Sequence, residues 1–272
     1  MMDLPQCTML LLERVGSRLN MTFNRPERRN AINNQMGVEF NAVVEWLHNH
    51  SEIRLVVLRG AGGHFCAGGD IKERLSLVEG CSGSDENPIL ARNIRAGMGF
   101  LRFSHVPQTT IAMVEGSAFG GGMGYACIAD ITIVARSARM GMPETALGIA
   151  PAQIAPHVVK RVGLTRARQL ALTGERFGGE KAFEYGVAQY VCDDENVEST
   201  LESVVAKVLR GAPRAGAVTK EIMRHVGTMS DEEMIRFSAE RFAELNRGDE
   251  GREGQAAFAE KRLPAWQLTN HE

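Results

Sequence analysis

Apolar and polar positions near the start of the chain predict a hairpin followed by a helix. Two strand-like runs, 8–14 and 17–23, flank Gly16 and predict two β-strands joined by a tight turn. A helix is predicted to begin after a capping residue at Asn33 or Asn34. Its apolar residues recur at helical spacing and predict one buried face, formed by Met36, Phe40, Val43, Val44 and Leu47.

Three later apolar runs predict buried strands, and glycine-rich loops follow two of them. The runs cover 54–60, 109–116 and 129–135, and continuous apolar character is typical of strands covered on both faces. Beyond them, the C-terminal part of the chain has a helical pattern. We therefore predict an α/β fold built from recurring ββα or βα units. Its core would span residues 1–200 and a helical region would span 201–272.

The composition is typical of an ordinary soluble globular protein and restricts the expected partners. With 44% hydrophobic residues, 24% charged residues and a formal net charge of −2, no positive field would attract nucleic acid or an anionic membrane. The N-terminus lacks a secretory signal pattern, and no apolar run approaches the roughly 20 residues of a membrane span. The five cysteines show no metal-binding spacing. We expect a reduced, cytoplasmic protein without metal, membrane or nucleic-acid partners.

The two glycine loops do not match common nucleotide-binding or hydrolase motifs. Phe65 and Tyr125 stand where a dinucleotide-binding G-x-G-x-x-G motif would need its last glycine. The G-x-S-x-G and H-E-x-x-H motifs are absent from the sequence. If Gly69 of CAGGD and Gly121 of FGGGM face one another, their N–H groups would form an oxyanion hole. From spacing alone, close helix–strand packing explains the paired glycines equally well.

Several motifs in the same order resemble the crotonase (enoyl-CoA hydratase/isomerase) superfamily. They are HFCAGGDIKE, VEGSAFGGGMGYACIADITIVA and MGMPETALGIAPAQIA, together with NRPERRNAIN and LTGERFGGEKAFEYGVAQYVC. The resemblance spans about residues 8–265 and implies a crotonase-like spiral of ββα units, with C-terminal helices that assemble homotrimers or hexamers. It also implies an acyl-CoA thioester as substrate, with coenzyme A as part of that substrate and no other cofactor.

The resemblance implies catalytic roles for two glycines and one glutamate. Gly69 and Gly121 would hold the thioester carbonyl and stabilise an enolate. Glu144 falls at the second of the two glutamates that act as acid and base in the family's hydratases, whereas Gly124 occupies the position of the first. One carboxylate can still take a proton from water and then return one to the α-carbon. We expect the space left at Gly124 to admit a bulky or polar branch of the substrate.

Other residues are candidates for substrate binding, each with a simpler structural explanation beside it. Ala67, Gly68 and Asp70 belong to the first glycine loop, and Asp70 is also placed to cap a helix beginning at IKERL. Gln153 could orient water or a substrate carboxylate, or simply begin a helix. Candidates for contacting the coenzyme A moiety, or for lying on a solvated helix surface, are Arg28, Arg29, Lys72, Phe258 and Lys261.

The string LGIAPAQIAPHVVKRVGLTRARQLALTGERF is most similar to the branched glutaconyl-CoA hydratases. Within them it is closest to the isohexenylglutaconyl-CoA hydratases of acyclic terpene degradation, which are also similar in having glycine at the first glutamate position. This implies hydration of a 3-branched glutaconyl-CoA to a 3-hydroxy-3-substituted glutaryl-CoA. Methylglutaconyl-CoA hydratase, a double-bond isomerase, a hydratase-lyase, an RNA-binding protein and a non-catalytic acyl-CoA-binding protein remain alternatives.

Overall fold

Two sheets organise the protein, of which the computed structural model describes residues 3–80 and 87–268. The strands in these ranges are β1 (Leu10–Val15), β2 (Arg18–Phe23), β3 (Leu55–Gly60), β4 (Thr109–Val114), β5 (Ser117–Phe119), β6 (Ile131–Ala135), β7 (Arg139–Gly141), β8 (Arg176–Gly178) and β9 (Tyr190–Cys192). The larger sheet has the order β1-β2-β3-β4-β6-β9, and the smaller has the order β5-β7-β8. The predicted hairpin of β1 and β2 is confirmed as an antiparallel pair, and the other pairs of the larger sheet are parallel.

Helices cover the sheets and form the C-terminal part of the chain. In the described ranges they are α1 (Asn34–His48), α2 (Ile71–Gly80), α3 (Pro88–Ser104), α4 (Gly121–Ile128), α5 (Ala155–Val162), α6 (Leu164–Thr173), α7 (Gly179–Glu184), α8 (Val197–Leu209), α9 (Pro213–His225), α10 (Asp231–Arg247), α11 (Asp249–Ala259) and α12 (Ala265–Leu268). Asn33 caps α1 by accepting a hydrogen bond from the N–H of Met36 at 2.8 Å. None of the helices in the described ranges is long and apolar enough to cross a membrane.

The core lies between the larger sheet and the helices α1, α3 and α4. The first four residues of β3 are fully buried, as expected for a strand covered on both faces. Rings from three elements meet beside it: Phe40 of α1 lies 5.2 Å from Phe103 of α3 and 4.7 Å from Tyr125 of α4, measured between ring centroids. This aromatic packing fixes α4, and therefore the loop at its N-terminus, against the rest of the core.

The helical C-terminal region begins with helices that still contact the core. The sequence-based boundary at residue 200 falls within α8, which packs against β3 and β6. Lys220 connects α9 to the core. Its Nζ donates to the carboxylate of Asp130 at 2.6 Å and to the carbonyl oxygen of Gln108 at 2.6 Å. After it, α10 packs against both α9 and α11.

Candidate active site

The two glycine loops lie side by side because β3 and β4 are parallel neighbours. Loops that leave the same edge of a parallel sheet meet there. A short ladder joins them: the N–H of Cys66 donates to the carbonyl oxygen of Ser117 at 2.9 Å, and the N–H of Phe119 donates to that of Cys66 at 3.0 Å. This ladder aligns Cys66 with Ala118. The glycines that follow in each loop are therefore brought to one place.

Glycine is needed where the two loops touch. Gly68 has a φ of +91°, and a Cβ there would lie 2.8 Å from the carbonyl oxygen of Phe119 and 3.5 Å from the backbone nitrogen of Gly121. Gly120 has a φ of +52°, and a Cβ there would lie 3.8 Å from the Cα of Gly68. A side chain at either position would strain the backbone, and a side chain at Gly68 would also force the loops apart. The sequence-predicted proximity of the two loops is thus a feature of the fold.

Gly69 and Gly121 each present an N–H group with no acceptor within residues 3–80 and 87–268. Gly121 is the first residue of α4, where backbone N–H groups precede the first intrahelical bond. The residues on either side of Gly69 both bond to Ile32. The N–H of Ile32 donates to the carbonyl oxygen of Gly68 at 2.7 Å, and the N–H of Asp70 donates to the carbonyl oxygen of Ile32 at 2.9 Å. The two unpaired donors are what an oxyanion hole requires.

Glu144 places a carboxylate next to the glycine loops. Its Oε1 lies 2.8 Å from the position that a Cβ would take on Gly120, and its Oε2 is buried without a hydrogen-bond partner in the described part of the chain. Burial raises the pKa of Glu144, and its own backbone N–H and the charge of Arg74 only partly oppose this. A buried, unpartnered carboxylate oxygen destabilises the fold, and such groups with a raised pKa are typical of functional sites.

The position of the first family glutamate is filled by apolar side chains. A Cβ on Gly124 would collide with the Cγ2 of Ile154, and would lie 3.0 Å from the Cβ of Ile154 and 3.3 Å from Cε1 of Phe100. Ile154 is only 4% exposed, so it packs here as part of the core. The expectation that Gly124 leaves space for a substrate branch is therefore wrong.

Asp70 is fully engaged in holding the first glycine loop. Its Oδ1 accepts the N–H of Lys72 at 3.0 Å, which confirms the predicted cap of α2, and its Oδ2 accepts both terminal nitrogens of Arg25 at 3.1 Å. Burial alone would raise the pKa of Asp70, but the hydrogen bonds from backbone N–H groups and from Arg25 outweigh it and lower the pKa. Its contacts position Gly69 and leave neither oxygen unbound.

Gln153 connects the segment before α5 to α3. Its Nε2 donates to Oδ1 of Asn93 at 2.5 Å, and its Cδ lies 2.7 Å from the position of a Cβ on Gly97. The structure therefore places Gln153 against α3, where its amide already has a partner.

The candidates for coenzyme A contacts lie on the surface, and their roles stay predictions. Arg28 and Lys72 are exposed, and the N–H of Ala67 donates to the carbonyl oxygen of Arg29 at 2.9 Å. Phe258 is 88% exposed on α11, and Lys261 follows that helix with a φ of +56°. The helix that carries Phe258 packs against α10.

Two polar residues near Gly124 in the sequence, Glu115 and Tyr125, do not lie in a position to replace the missing carboxylate. Glu115 pairs with Arg59 at 3.1 Å, and Tyr125 packs in the core between Phe40 and Phe100. In the portion of the chain that is described, no three or more His, Cys, Asp or Glu side chains form a potential metal site.

Arg74 of α2 is a site residue that sequence reasoning missed. Its Nη2 lies 2.8 Å from the position of a Cβ on Gly69, and its charge acts on the carboxylate of Glu144. In the sequence it is one of several charged residues in IKERL, a pattern that equally fits the solvated face of a helix. The position of Arg74 beside Gly69 is seen only in the folded structure, where α2 lies against the glycine loop.

An α/β fold that sets two unpaired backbone N–H groups beside a buried glutamate is typical of enzymes that stabilise an oxyanion. The sequence profile described as enoyl-CoA hydratase/isomerase matches residues 14–269. The chain belongs to this family, and the crotonase superfamily expected from the motifs is confirmed.

Individual relatives match over nearly their whole length. The structure of Pseudomonas aeruginosa AtuE superposes with a TM-score of 0.92 and 41% sequence identity, covering 96% of this chain and 100% of that one. The fold is therefore crotonase-like, as predicted. The short-chain-enoyl-CoA hydratase of Clostridium acetobutylicum is 30% identical over 93% of this chain and 95% of its own length. The mevalonyl-coenzyme A hydratase sidH of Aspergillus fumigatus is 30% identical over 91% of this chain and 90% of its own length.

Proposed function

We propose that this protein is a hydro-lyase that adds water to the double bond of an α,β-unsaturated acyl-CoA, specifically a 3-branched glutaconyl-CoA such as isohexenylglutaconyl-CoA. One observation carries the proposal: the unpartnered Oε2 of Glu144 lies in the same site as the unpaired N–H groups of Gly69 and Gly121. A carboxylate that only supported the fold would be hydrogen-bonded.

In the proposed reaction the two N–H groups donate to the thioester oxygen and draw electrons from the conjugated double bond. Glu144 takes a proton from water as the water oxygen bonds to the β-carbon, and the electrons of the double bond move into an enolate. Glu144 then returns a proton to the α-carbon and gives the 3-hydroxyacyl-CoA. Because the carboxyl group must hold a proton between the two steps, a raised pKa suits its role. The proposal needs no metal and no cofactor beyond the coenzyme A of the substrate.

Hydration is favoured over isomerisation by the relatives. Both the Clostridium and the Aspergillus proteins carry names that describe the addition of water to acyl-CoA compounds. The glutaconyl substrate and its origin in terpene degradation are supported by the string LGIAPAQIAPHVVKRVGLTRARQLALTGERF. Since Ile154 fills the space beside Gly124, a 3-substituent has to be accommodated elsewhere in the site.

The further proposals concern assembly and location. We propose a cytoplasmic homotrimer or hexamer without a nucleic-acid partner. Large apolar side chains on two of the C-terminal helices, α9 and α10, support the assembly: Met223 is 68%, Ile235 70% and Phe242 67% exposed. Light scattering of the purified protein should give the mass of three or six chains, and a monomer would contradict this.

The decisive experiment incubates the protein with crotonyl-CoA, 3-methylglutaconyl-CoA and longer branched glutaconyl thioesters, and identifies the products by mass. Hydration adds one water, whereas isomerisation leaves the mass unchanged. Glu144→Gln should lower kcat/KM by about 10²–10⁴-fold. The matched control is Glu115→Gln, because Glu115 pairs with Arg59 and not with the glycine loops. Full activity of Glu144→Gln would overturn its role, and thioester binding without any water gained would overturn hydration.

A further inference from the structure

The guanidinium of Arg74 lies beside Gly69 and has no partner among the described residues. Its Nη2 approaches Gly69, whose N–H is one of the two proposed oxyanion donors. Across residues 3–80 and 87–268, this side chain makes no hydrogen bond and no ion pair. Arginine carries a full charge and five donors, so a partner that is absent from the free protein is a natural reason for placing it here.

Neighbouring arginines show that the fold supplies acidic partners where an arginine has a structural role. Arg25 pairs with Asp70 at 3.1 Å, and Arg92 pairs with Glu73 at 2.6 Å. Glu73 lies next to Arg74 in the sequence yet pairs with the other arginine. Arg74 therefore differs from Arg25 and Arg92: its guanidinium lies beside Gly69 and is not paired with a carboxylate of the described chain.

The place of Arg74 restricts what it can bind. An acyl thioester held by the N–H groups of Gly69 and Gly121 would have its reacting carbons beside Glu144. A cation next to Gly69 would then face the acyl group, and a planar guanidinium matches a carboxylate with two parallel hydrogen bonds. A glutaconyl group carries such a carboxylate on its γ-carbon, so that the carboxyl carbon lies two carbons beyond the β-carbon.

We propose that Arg74 binds the terminal carboxylate of a dicarboxylic acyl group and so makes the protein select glutaconyl-type over monocarboxylic enoyl-CoA substrates. This inference rests on the proposed function, because it names the residue that would determine the substrate class of the same site.

Such binding also affects the acid–base group. The charge of Arg74 lowers the pKa of Glu144, against the larger effect of burial. A substrate carboxylate that neutralises Arg74 removes this opposition, and Glu144 then holds its proton more readily. A dicarboxylic substrate would thereby strengthen Glu144 as the base that takes the proton from water.

Two thioesters that differ only in this carboxylate test the inference: 3-methylglutaconyl-CoA and 3-methylcrotonyl-CoA. Arg74→Gln should lower kcat/KM for 3-methylglutaconyl-CoA by about 10–100-fold, as expected for loss of hydrogen bonds between charged groups. It should change the value for 3-methylcrotonyl-CoA only a few-fold, and Arg74→Lys should recover part of the loss. Arg95→Gln is the matched control, because the guanidinium of Arg95 donates to Oδ1 of Asn34 at 3.4 Å and not to the glycine loops of the described chain.

Binding of the saturated analogues glutaryl-CoA and butyryl-CoA, measured by calorimetry, separates this inference from the proposed hydratase activity. Arg74→Gln should weaken glutaryl-CoA binding at least about 10-fold and leave butyryl-CoA binding unchanged, whether or not the protein turns over any enoyl-CoA. If Arg74→Gln weakened the binding or turnover of the dicarboxylic and the monocarboxylic thioester of a pair equally, the role of Arg74 would be overturned and the proposed hydration would not be affected. Unchanged binding and turnover of the dicarboxylic compounds would overturn it as well.

Discussion

Replacing Gly124 by alanine tests the packing that fills the first-glutamate position. The added Cβ would collide with the Cγ2 of Ile154 and lie 3.0 Å from its Cβ, which is below the separation of roughly 3.5–4.0 Å that carbon atoms favour. Ile154 is 4% exposed, and Phe100 closes the other side at 3.3 Å. The isoleucine therefore has no open space into which to move.

Two opposing terms set the size of the effect. Overpacking a well-filled core costs about 1–3 kcal/mol. Gly124 lies within α4, where alanine in place of glycine stabilises a helix by up to about 1 kcal/mol. The net change in the free energy of unfolding should be a loss of about 0–3 kcal/mol. With Ile154→Ala in the background the collision with Cγ2 is removed, and the contacts with the Cβ at position 154 and with Phe100 remain. Gly124→Ala should then be neutral or stabilise by up to about 1 kcal/mol.

The assay is urea unfolding of both single variants, the double variant and the wild type. Ile154→Ala alone should cost about 2–5 kcal/mol, and the coupling energy between the two sites should be about 1–3 kcal/mol. Ile154→Val is the control, since valine keeps a methyl group at the colliding position and should preserve the unfavourable effect. If Gly124→Ala stabilises the protein equally in all three backgrounds, Ile154 does not fill this space and the reasoning is refuted.

Three further outcomes follow from the titratable groups. Because burial raises the pKa of Glu144 above its ordinary 4.5, the ionised carboxylate destabilises the fold. Glu144→Gln should therefore raise the Tm at neutral pH, and this gain should shrink as the pH falls from the raised pKa and be absent below 4.5. No gain at neutral pH would contradict the burial of this carboxylate. For Asp70 the effect of ionisation on stability has the opposite sign. Its pKa is lowered, with a contribution from Arg25, so the ionised carboxylate stabilises the fold above pH 3.8 and this stabilisation is lost on acidification. Asp70→Asn should therefore lower the free energy of unfolding in urea more at neutral than at acidic pH. Burial raises the pKa of Cys66 and of Cys127 to about 12, so both should resist thiol reagents until the protein unfolds, and mass spectrometry showing fast modification would be the opposite result.

Long segments with strong patterns could be predicted from the sequence. The buried run at 54–60 is β3, and the apolar face of α1 with its Asn33 cap is as expected. The strands β5, β7 and β8 could not be found, because each has only three residues and three residues are too few to show a period of two.

The composition of the site could be predicted better than its packing. Glycine tolerates the positive φ and close contacts that join the two loops, so the spacing of Gly68, Gly69 and Gly121 was informative. At Gly124 the sequence shows only that a side chain is missing; which distant residue fills the space is decided by the tertiary fold, and it is Ile154. Arg74 was missed for a related reason, since helical periodicity does not tell which charged residue of a short helix turns toward a loop.

The replacement of one glutamate by glycine changes how the other carboxylate is controlled. In a site with two neighbouring carboxylates, repulsion between like charges raises one pKa. Here the described residues around Gly124 are the apolar Ile154 and Phe100, so burial raises the pKa of Glu144, opposed by Arg74. A cation acting on Glu144, the proposed acid–base group, makes that group sensitive to whatever binds the cation. A protein with one glutamate can therefore couple recognition of a second carboxylate on the substrate to the proton transfer itself, which a neutral residue in place of Arg74 would not allow.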